Sequence, residues 1–209
     1  MTRRLVVGIS GASGPIYGIR LLEVLREVRD VETHLVMSAA ARETIAFETD
    51  WSHADVEQLA DVSYRPGDIA AALSSGSFRT AGMVVVPCSM GTLSDIATSS
   101  SDNLLARAAD VTLKERRRLV LVPRETPLHL GHLRLMVQLA EMGAIICPPV
   151  PAFYQRPETI EQIVDHTLAR ILDLMEIEPP RELTRRWEGP AGAASRSGRS
   201  SVRRSRQRG

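Results

Sequence analysis

A glycine-rich turn joins the first apolar segment of the chain to the first amphipathic one. Glycines stand at 8, 11 and 14, with Ser10 and Ser13 between them. Glycine lets the backbone bend sharply and lets a ligand approach it closely. The unpaired N–H groups at the start of the following helix favour an anion. Residues 8–14 therefore predict a phosphate cradle, and a plain turn between strand and helix is the simpler alternative.

The spacing of these glycines argues against a dinucleotide or a nucleoside triphosphate. It is not Gly-x-Gly-x-x-Gly, and Ser38, Ala39 and Ala40 stand where a dinucleotide site needs an acid for the ribose. The chain has no Gly-x-x-x-x-Gly-Lys-Ser/Thr motif. Residues 8–12 match a hydrolase nucleophile elbow only loosely, because no oxyanion loop accompanies them. A mononucleotide such as FMN fits better, with Ser38 as a second contact.

Polar residues also follow two later apolar segments. Ser89 and Thr92 come after residues 82–87, where they could bind a ligand or where Ser89 could simply cap a helix. Arg124 and Glu125 come after residues 118–123. An arginine there suits an anion, and Glu125 could hold that arginine or move protons. An exposed ion pair of little consequence is the alternative.

Three more side chains could bind a second anion. Lys114 is the only lysine among 26 lysine and arginine residues, and its compact charge suits a phosphate oxygen. Tyr154 lies in a proline-bounded loop, where its hydroxyl could bind phosphate or its ring could only pack, and Arg170 lies on the next predicted helix. His129 and His132 lack a third ligand at suitable spacing, so no metal site is predicted.

Alternating apolar and amphipathic segments must position these residues. Buried parallel strands are predicted at 4–9, 33–37, 82–87, 118–123 and 143–147, with a short extra strand near 61–64. Helices are predicted at 15–29, 38–47, 91–98, 102–117, 128–142 and 158–175. This alternation predicts a three-layer α/β/α fold with a doubly wound, mostly parallel sheet of Rossmann or flavodoxin-like type. Ligands of such sheets bind beyond the carboxyl ends of the strands.

Composition predicts one domain, over residues 1–188, followed by a disordered basic tail at 189–209. The chain has 209 residues, and residues 177–209 hold nine arginines and three glutamates. The positive charge of this tail would allow non-specific contact with nucleic acid, but a solvated extension without a specific function is favoured. No apolar run reaches the length of a membrane span, and no signal peptide is recognised. Cys88 and Cys147 are expected to be buried reduced thiols, so a cytoplasmic location is predicted.

Several motifs together resemble the flavin prenyltransferase family of the UbiX type, also called the small subunit of phenolic acid decarboxylase systems. The resemblance covers roughly residues 3–188 and is very specific in its combination. The motifs that carry it are Val7–Gly14, Glu48-Thr49-Asp50, Gly76–Thr80, Pro87-Cys88-Ser89, Arg107–Val111, Leu113–Arg117, Val122–Leu128 and Pro151-Ala152-Phe153-Tyr154.

The resemblance implies particular site residues. Those implied to contact FMN are Gly11, Ala12, Ser13, Ser38, Ser89, Met90, Gly91, Thr92 and Arg124. Those implied to bind the phosphate of dimethylallyl phosphate are Lys114, Glu125, Tyr154 and Arg170, with Arg107 contributing across a subunit boundary. The implied catalytic set is Ser13, Glu48, Lys114 and Glu125, with Glu48 near the reacting flavin.

The resemblance also implies the reaction. The family joins a dimethylallyl group to N5 and C6 of reduced FMN, and a partner UbiD-type decarboxylase uses the prenylated FMN in quinone synthesis, such as that of ubiquinone, or in aromatic acid breakdown. No metal is expected, because the chain lacks the acid-rich motifs that hold magnesium in prenyltransferases acting on diphosphates. A homododecamer built from trimers is implied, with active sites at subunit contacts.

Three other functions remain open at this point. A related FMN-dependent cysteine decarboxylase should carry a catalytic histidine and a Pro-x-Met-Asn loop, which this chain lacks. An FMN carrier or electron-transfer module would leave the second set of anion-binding residues without a ligand. An accessory subunit of an aromatic acid decarboxylase would bind FMN without chemistry of its own.

Overall fold

A six-stranded parallel sheet forms the centre of the computed structural model, which describes residues 2–186. Its strands lie in the order β3-β2-β1-β4-β5-β6, and every neighbouring pair is parallel. They are β1 Arg3–Ile9, β2 Val31–Met37, β3 Val62–Tyr64, β4 Gly82–Cys88, β5 Arg118–Pro123 and β6 Ile145–Ile146. The predicted basic tail, and the end of the domain at residue 188, lie outside the described residues.

Helices cover both faces of this sheet. They are α1 Ile16–Arg26, α2 Ala39–Glu48, α3 His53–Glu57, α4 Met90–Ala97, α5 Leu104–Lys114, α6 Leu130–Glu141 and α7 Ile160–Leu174. Successive strand residues point to opposite faces, so Val7 packs with α1 and α7 while Val6 packs with α4 and α5. The structure confirms the predicted doubly wound α/β fold, with the extra strand at 62–64.

Element ends differ from the sequence prediction where a cap intervenes. Gly143 has a left-handed φ of 102°, and Ala144 donates its N–H to Leu139 O, so these residues end α6 instead of beginning a strand. Strand β6 therefore has only two residues. His129 caps α6, which delays the helix start to Leu130. The short helix α3, which the sequence prediction lacked, has Ser52 as its N-cap, and the Ser52 hydroxyl accepts a hydrogen bond from Asp55 N.

The neighbouring strands β1 and β4 form the point where the direction of strand order reverses. The connection after β1 leads to α1 on one face, and the connection after β4 leads to α4 on the other. Helix α1 lies directly on the sheet here: a Cβ at Gly18 would stand 2.5 Å from Val86 O and 2.8 Å from Ile9 Cδ1. The crevice beyond these strand ends is where α/β sheets of this kind bind ligands.

Candidate active site

Ser10 joins the two loops that border the crevice. Its buried hydroxyl donates to Pro87 O at 2.9 Å and accepts from Ser89 N at 2.7 Å. Its own N–H donates to Pro87 O at 3.2 Å. A buried hydroxyl with all these partners fixes the geometry of both loops. Sequence reasoning gave Ser10 no separate role, although its place directly after the apolar strand was a usable signal.

Gly11 permits a close approach between this loop and helix α2. A Cβ on Gly11 would stand 2.3 Å from Ala40 Cβ, a distance that no real side chain tolerates. Ser38 lies next to this contact, donating its N–H to Ile9 O at 3.0 Å and capping α2 by accepting from Ala41 N at 3.1 Å. The close packing places the start of α2, which Ser38 caps, against the loop that holds residues 11 and 12.

Ser13 and Glu48 meet at the start of α1. The Ser13 hydroxyl donates to Glu48 Oε2 at 3.1 Å, and Gly14 N donates to the same oxygen at 2.8 Å. Gly14 has a left-handed φ of 90°, which turns its N–H out of the helix direction. A hydrogen bond therefore joins these two predicted catalytic residues, which are 35 positions apart in the sequence. Trp51, three residues after Glu48, is partly buried and packs against the core.

Ser89 caps helix α4, at the other side of the crevice. Its hydroxyl accepts from Thr92 N at 3.2 Å and donates to Thr92 Oγ1 at 3.1 Å. The capping role considered for Ser89 is present, and contact of its hydroxyl with a ligand stays a prediction. Gly91 faces open space, since a Cβ there would have only Ser89 Oγ within 4 Å, at 3.9 Å. Met90 is half-buried beside it.

Arg124 and Glu125 follow β5, the strand next to β4. Arg124 N donates to Cys88 O at 3.2 Å, which fixes this loop against the end of β4. Both side chains are exposed. Within residues 2–186 the Arg124 guanidinium forms no hydrogen bond or ion pair, and Glu125 accepts only from Thr126 N, at 2.9 Å. The two side chains therefore do not pair with each other, and both remain available for a ligand.

Tyr154 and Arg170 line a cavity of about 650 Å³ between α7 and the segment 178–186. The Tyr154 hydroxyl lies 3.3 Å from His166 Nε2. Burial, assisted by the positive charge of Arg170, lowers the pKa of His166. Burial raises the pKa of the half-buried Cys147, and the charge of Arg170 partly offsets that rise. Arg170 thus acts electrostatically on residues that follow β6 and on those that line the cavity.

Lys114 lies at the opposite edge of the sheet from the other predicted site residues. It ends α5, just before β5 begins, whereas Arg124 follows the last residue of β5. The six residues of β5 separate these two edges by about 17 Å. Lys114 Nζ pairs with Glu115 Oε1 at 2.7 Å, and this hydrogen bond lowers the pKa of Glu115. A single chain therefore does not bring Lys114 to Glu125.

Arg107 lies on the same helix and is held by its own subunit. Its guanidinium donates to Asp110 Oδ2 at 2.8 Å and to Ser74 O at 3.2 Å. Of the remaining predicted residues, those in the segments that follow β1, β2, β4, β5 and β6 are Gly11, Ala12, Ser13, Ser38, Ser89, Arg124, Glu125 and Tyr154. The others lie on helices: Glu48 ends α2, Met90, Gly91 and Thr92 begin α4, and Arg170 is in α7. Over residues 2–186, no three histidine, cysteine, aspartate or glutamate side chains stand close enough to hold a metal ion. None of the helices in that range is both long and apolar enough to cross a bilayer.

Fold and crevice together define a nucleotide-binding α/β protein, and comparison with known proteins names its family. The Flavoprotein family model matches residues 1–172. Flavin prenyltransferase UbiX of Escherichia coli K12 is 62% identical over 187 residues, which are 90% of this chain and 99% of that protein. The chain therefore belongs to the flavin prenyltransferase UbiX family.

Solved structures agree with this assignment. AnUbiX (PadA1), crystallised with FMN and dimethylallyl pyrophosphate, is 50% identical with a TM-score of 0.87, over 90% of this chain and 99% of that one. A dodecameric FMN-dependent UbiX-like decarboxylase from Escherichia coli O157:H7 is 54% identical with a TM-score of 0.85, over 89% of this chain and 99% of its own.

Proposed function

We propose that this protein is a flavin prenyltransferase, which moves the dimethylallyl group of dimethylallyl phosphate onto N5 and C6 of reduced FMN. One observation carries the proposal. A hydroxyl-lined cradle across the ends of β1 and β4 adjoins the unpaired Arg124 and exposed Glu125 at the end of β5. One nucleotide and one further anion can therefore be held side by side at the same edge of the sheet.

FMN suits the cradle in size and chemistry. Small residues at 11 and 12 leave the backbone accessible, and the start of α1 offers N–H groups to a phosphate. Seryl and threonyl hydroxyls at 38, 89 and 92 can bond a ribityl chain or ring edge, while Met90 supplies apolar surface. We assign to the Ser13–Glu48 pair a place near the reacting flavin, where Glu48 Oε2 keeps the Ser13 hydroxyl in one orientation by accepting its hydrogen bond.

Prenyl transfer needs stabilisation of the departing phosphate. The bond between the allylic carbon and the phosphate oxygen breaks, a bond from that carbon to flavin N5 forms, and phosphate departs with the bonding electron pair. Arg170 and Tyr154 can donate to the phosphate as its charge grows. Glu125 can protonate it. As the new ring closes, one carbon of the prenyl double bond joins C6 and the other gains a proton, while C6 loses a proton that Glu125 can accept. Each charged hydrogen bond contributes about 1.5–3 kcal/mol.

Lys114 and Arg107 reach this reaction only if another copy of the chain supplies them. An assembly is supported by exposed apolar residues near the site, with Leu130, Leu133 and Val137 forming a stripe on α6, 60%, 45% and 57% exposed. Phe153 in the loop after β6 is 74% exposed. Such patches mark protein contacts. We infer a homododecamer of the kind found for the UbiX-like relative, with each active site completed across a contact between subunits.

The product would serve a UbiD-type decarboxylase as its prenylated flavin. We place the reaction in the cytoplasm, from the sequence features given above. The decarboxylase partner and the cellular location are both part of the proposal.

Mass measurement of the flavin tests the proposal directly. Purified protein is incubated without oxygen with FMN, a reductant and dimethylallyl phosphate, and the released flavin is weighed by mass spectrometry. We expect a flavin heavier by one dimethylallyl group. An unchanged flavin would leave an FMN carrier or an accessory subunit. Dimethylallyl diphosphate in a parallel reaction determines whether the donor can carry a second phosphate.

A further inference from the structure

Asp173 binds two arginines that approach it from different parts of the chain. Its Oδ2 accepts from Arg170 Nη1 at 3.1 Å, three positions earlier on α7. Its Oδ1 accepts from Arg186 Nη2 at 2.8 Å, with Arg186 Nη1 at 3.5 Å from Oδ2. Sequence reasoning named Arg170 alone, although the Arg-x-x-Asp spacing on a helix was a signal for its partner.

The segment 178–186, here called the C-terminal arm, has a second contact next to Arg186, at Arg185. Gln155 Nε2 donates to Arg185 O at 2.8 Å. Gln155 is the neighbour of Tyr154, and Asp173 lies one helical turn from Arg170. The arm is therefore attached beside each of the two residues predicted to bind the donor phosphate, and it forms one wall of their cavity.

We propose that Asp173 is a positioning residue for prenyl transfer, which orients Arg170 and fastens the C-terminal arm over the donor cavity. This inference rests on the proposed function. Asp173 engages one nitrogen of Arg170, so the remaining N–H donors of that guanidinium stay available for a phosphate. Arg186 neutralises Asp173 at the same time, which reduces competition between this carboxylate and the incoming phosphate for Arg170.

Because Asp173, Arg170 and Arg186 are all partly exposed to water, we expect loss of their contacts to affect substrate binding and not folding. The Arg170 and Arg186 side chains are 58% and 69% exposed, and the Asp173 side chain is 29% exposed. Ion pairs so open to water contribute little to the stability of a fold. They can still determine where an arginine stands when a phosphate arrives, and a misplaced arginine weakens binding of the donor.

Asp173→Asn tests the inference by separating KM from kcat. We expect the KM for dimethylallyl phosphate to rise about fivefold, with kcat and the Kd for FMN unchanged within about twofold. Asp173→Glu should recover part of the loss. Arg186→Ala, which spares the Arg170 contact, should give a smaller rise, and adding it to Asp173→Asn should add little, because both variants break the same contact.

Trypsin provides a readout independent of turnover. In the folded full-length protein, cleavage after Arg186 should be faster in Asp173→Asn than in the unaltered chain, since the arm loses a fastening point. Calorimetric titration of inorganic phosphate into the FMN-loaded protein should show weaker binding in the same variant. Glu176→Gln is the matched control, because it breaks an exposed pair with Arg118 that lies outside this cavity.

An unchanged KM and an unchanged cleavage rate in folded Asp173→Asn would overturn the inference. Equal loss of kcat, donor binding and FMN binding would also overturn it, because that pattern indicates a general structural role. If the unaltered protein prenylates no flavin, the proposed function fails instead. The trypsin and phosphate measurements then still decide whether Asp173 fastens the arm and orients Arg170.

Discussion

The nucleotide cradle and the donor side of the active site are built in different ways. The cradle is made of small residues and hydroxyls that bond to one another, such as Ser10 with the loop at 87–89 and Ser13 with Glu48. The donor side includes exposed charged groups on separate elements, such as Glu125 in the loop after β5 and Arg170 on α7. Lys114 stands at the far edge of the sheet.

This difference indicates how the two ligands are bound. Under the proposed function, one chain supplies a preformed cradle for the nucleotide, whereas the second anion must draw together side chains that the fold alone leaves apart. Exposed arginine and lysine cost little to leave unpaired in water, so the donor side can be assembled from several subunits. Variants should therefore form two groups: those that weaken FMN binding in the cradle of one chain, and those that lower turnover at a donor side shared between chains.

Glu125→Gln should have the largest effect. The amide keeps the shape of the carboxylate but cannot transfer the proton, so turnover should fall about 100-fold to 1,000-fold, within the range for general acid–base catalysis. FMN binding, followed by flavin fluorescence, should be unchanged because the cradle is intact. Single-turnover kinetics by mass spectrometry measure the rate. Turnover equal to that of the control Glu141→Gln, which alters an exposed carboxylate at the end of α6, would remove Glu125 from the mechanism.

Mixed oligomers test whether the donor side is shared. Lys114→Met and Glu125→Gln should each be nearly inactive alone. Chains carrying them, co-expressed with two affinity tags, should form mixed oligomers with about a quarter of normal activity under random assembly, because some sites receive both intact residues from different copies. If one chain supplied both residues, no site in the mixture could be intact and no activity would return.

Gly11→Ala should damage the cradle without touching the donor side. The added Cβ would collide with Ala40 Cβ and push α2 away. We expect FMN affinity to fall about 10-fold to 100-fold, the equivalent of about 1–3 kcal/mol of overpacking. Gly67→Ala is the matched control, since a Cβ at Gly67 would meet nothing within 4 Å. Equal affinity in the two variants would show that the Gly11 contact does not shape the site.

One pH effect on folding should arise outside both regions, at His34. His34 is 2% exposed, with Nε2 bonded to Glu32 at 3.0 Å and Nδ1 to the Tyr64 hydroxyl at 3.0 Å. Burial lowers the pKa of His34 below 6.5, with Glu32 partly opposing the shift. The unfolded chain therefore binds more protons than the folded one as pH falls below 6.5, and the free energy of unfolding should decrease.

Urea denaturation at several pH values measures this slope, which should be the smallest effect of the four. His34→Gln should flatten it, while His166, whose pKa is also lowered, keeps its own contribution. An equally steep decrease in His34→Gln would assign the pH dependence to other groups.

The sequence was a good guide to the sheet and to the loops at its edge. Parallel strands buried on both faces give continuous apolar runs, so the strands at 3–9, 31–37, 82–88 and 118–123 stood out. Since the carboxyl ends of parallel strands share an edge, polar residues just after those runs had to gather there. Strand β6 was overestimated because Ile145 and Ile146 continue an apolar pattern that begins in the left-handed turn ending α6.

Contacts between distant side chains lay beyond the sequence. Neither the Ser13–Glu48 bond nor the joint contact of Arg170 and Arg186 with Asp173 follows from spacing alone. Lys114 is a different case. Its residue type suggested phosphate binding, but its place just before the strand predicted at 118–123 was a signal that it lies at the amino ends of the strands, and α5 of the structure ends there.

Helix α1 packs directly on the backbone of β4, a contact that only a glycine at position 18 permits, and this packing has a kinetic consequence. A helix resting on a strand carbonyl has little freedom to tilt, so the N–H groups at its start keep one orientation before and after the flavin arrives. Flavin uptake should then proceed as a simple bimolecular encounter whose observed rate grows in proportion to flavin concentration, without the plateau that a slow opening step imposes.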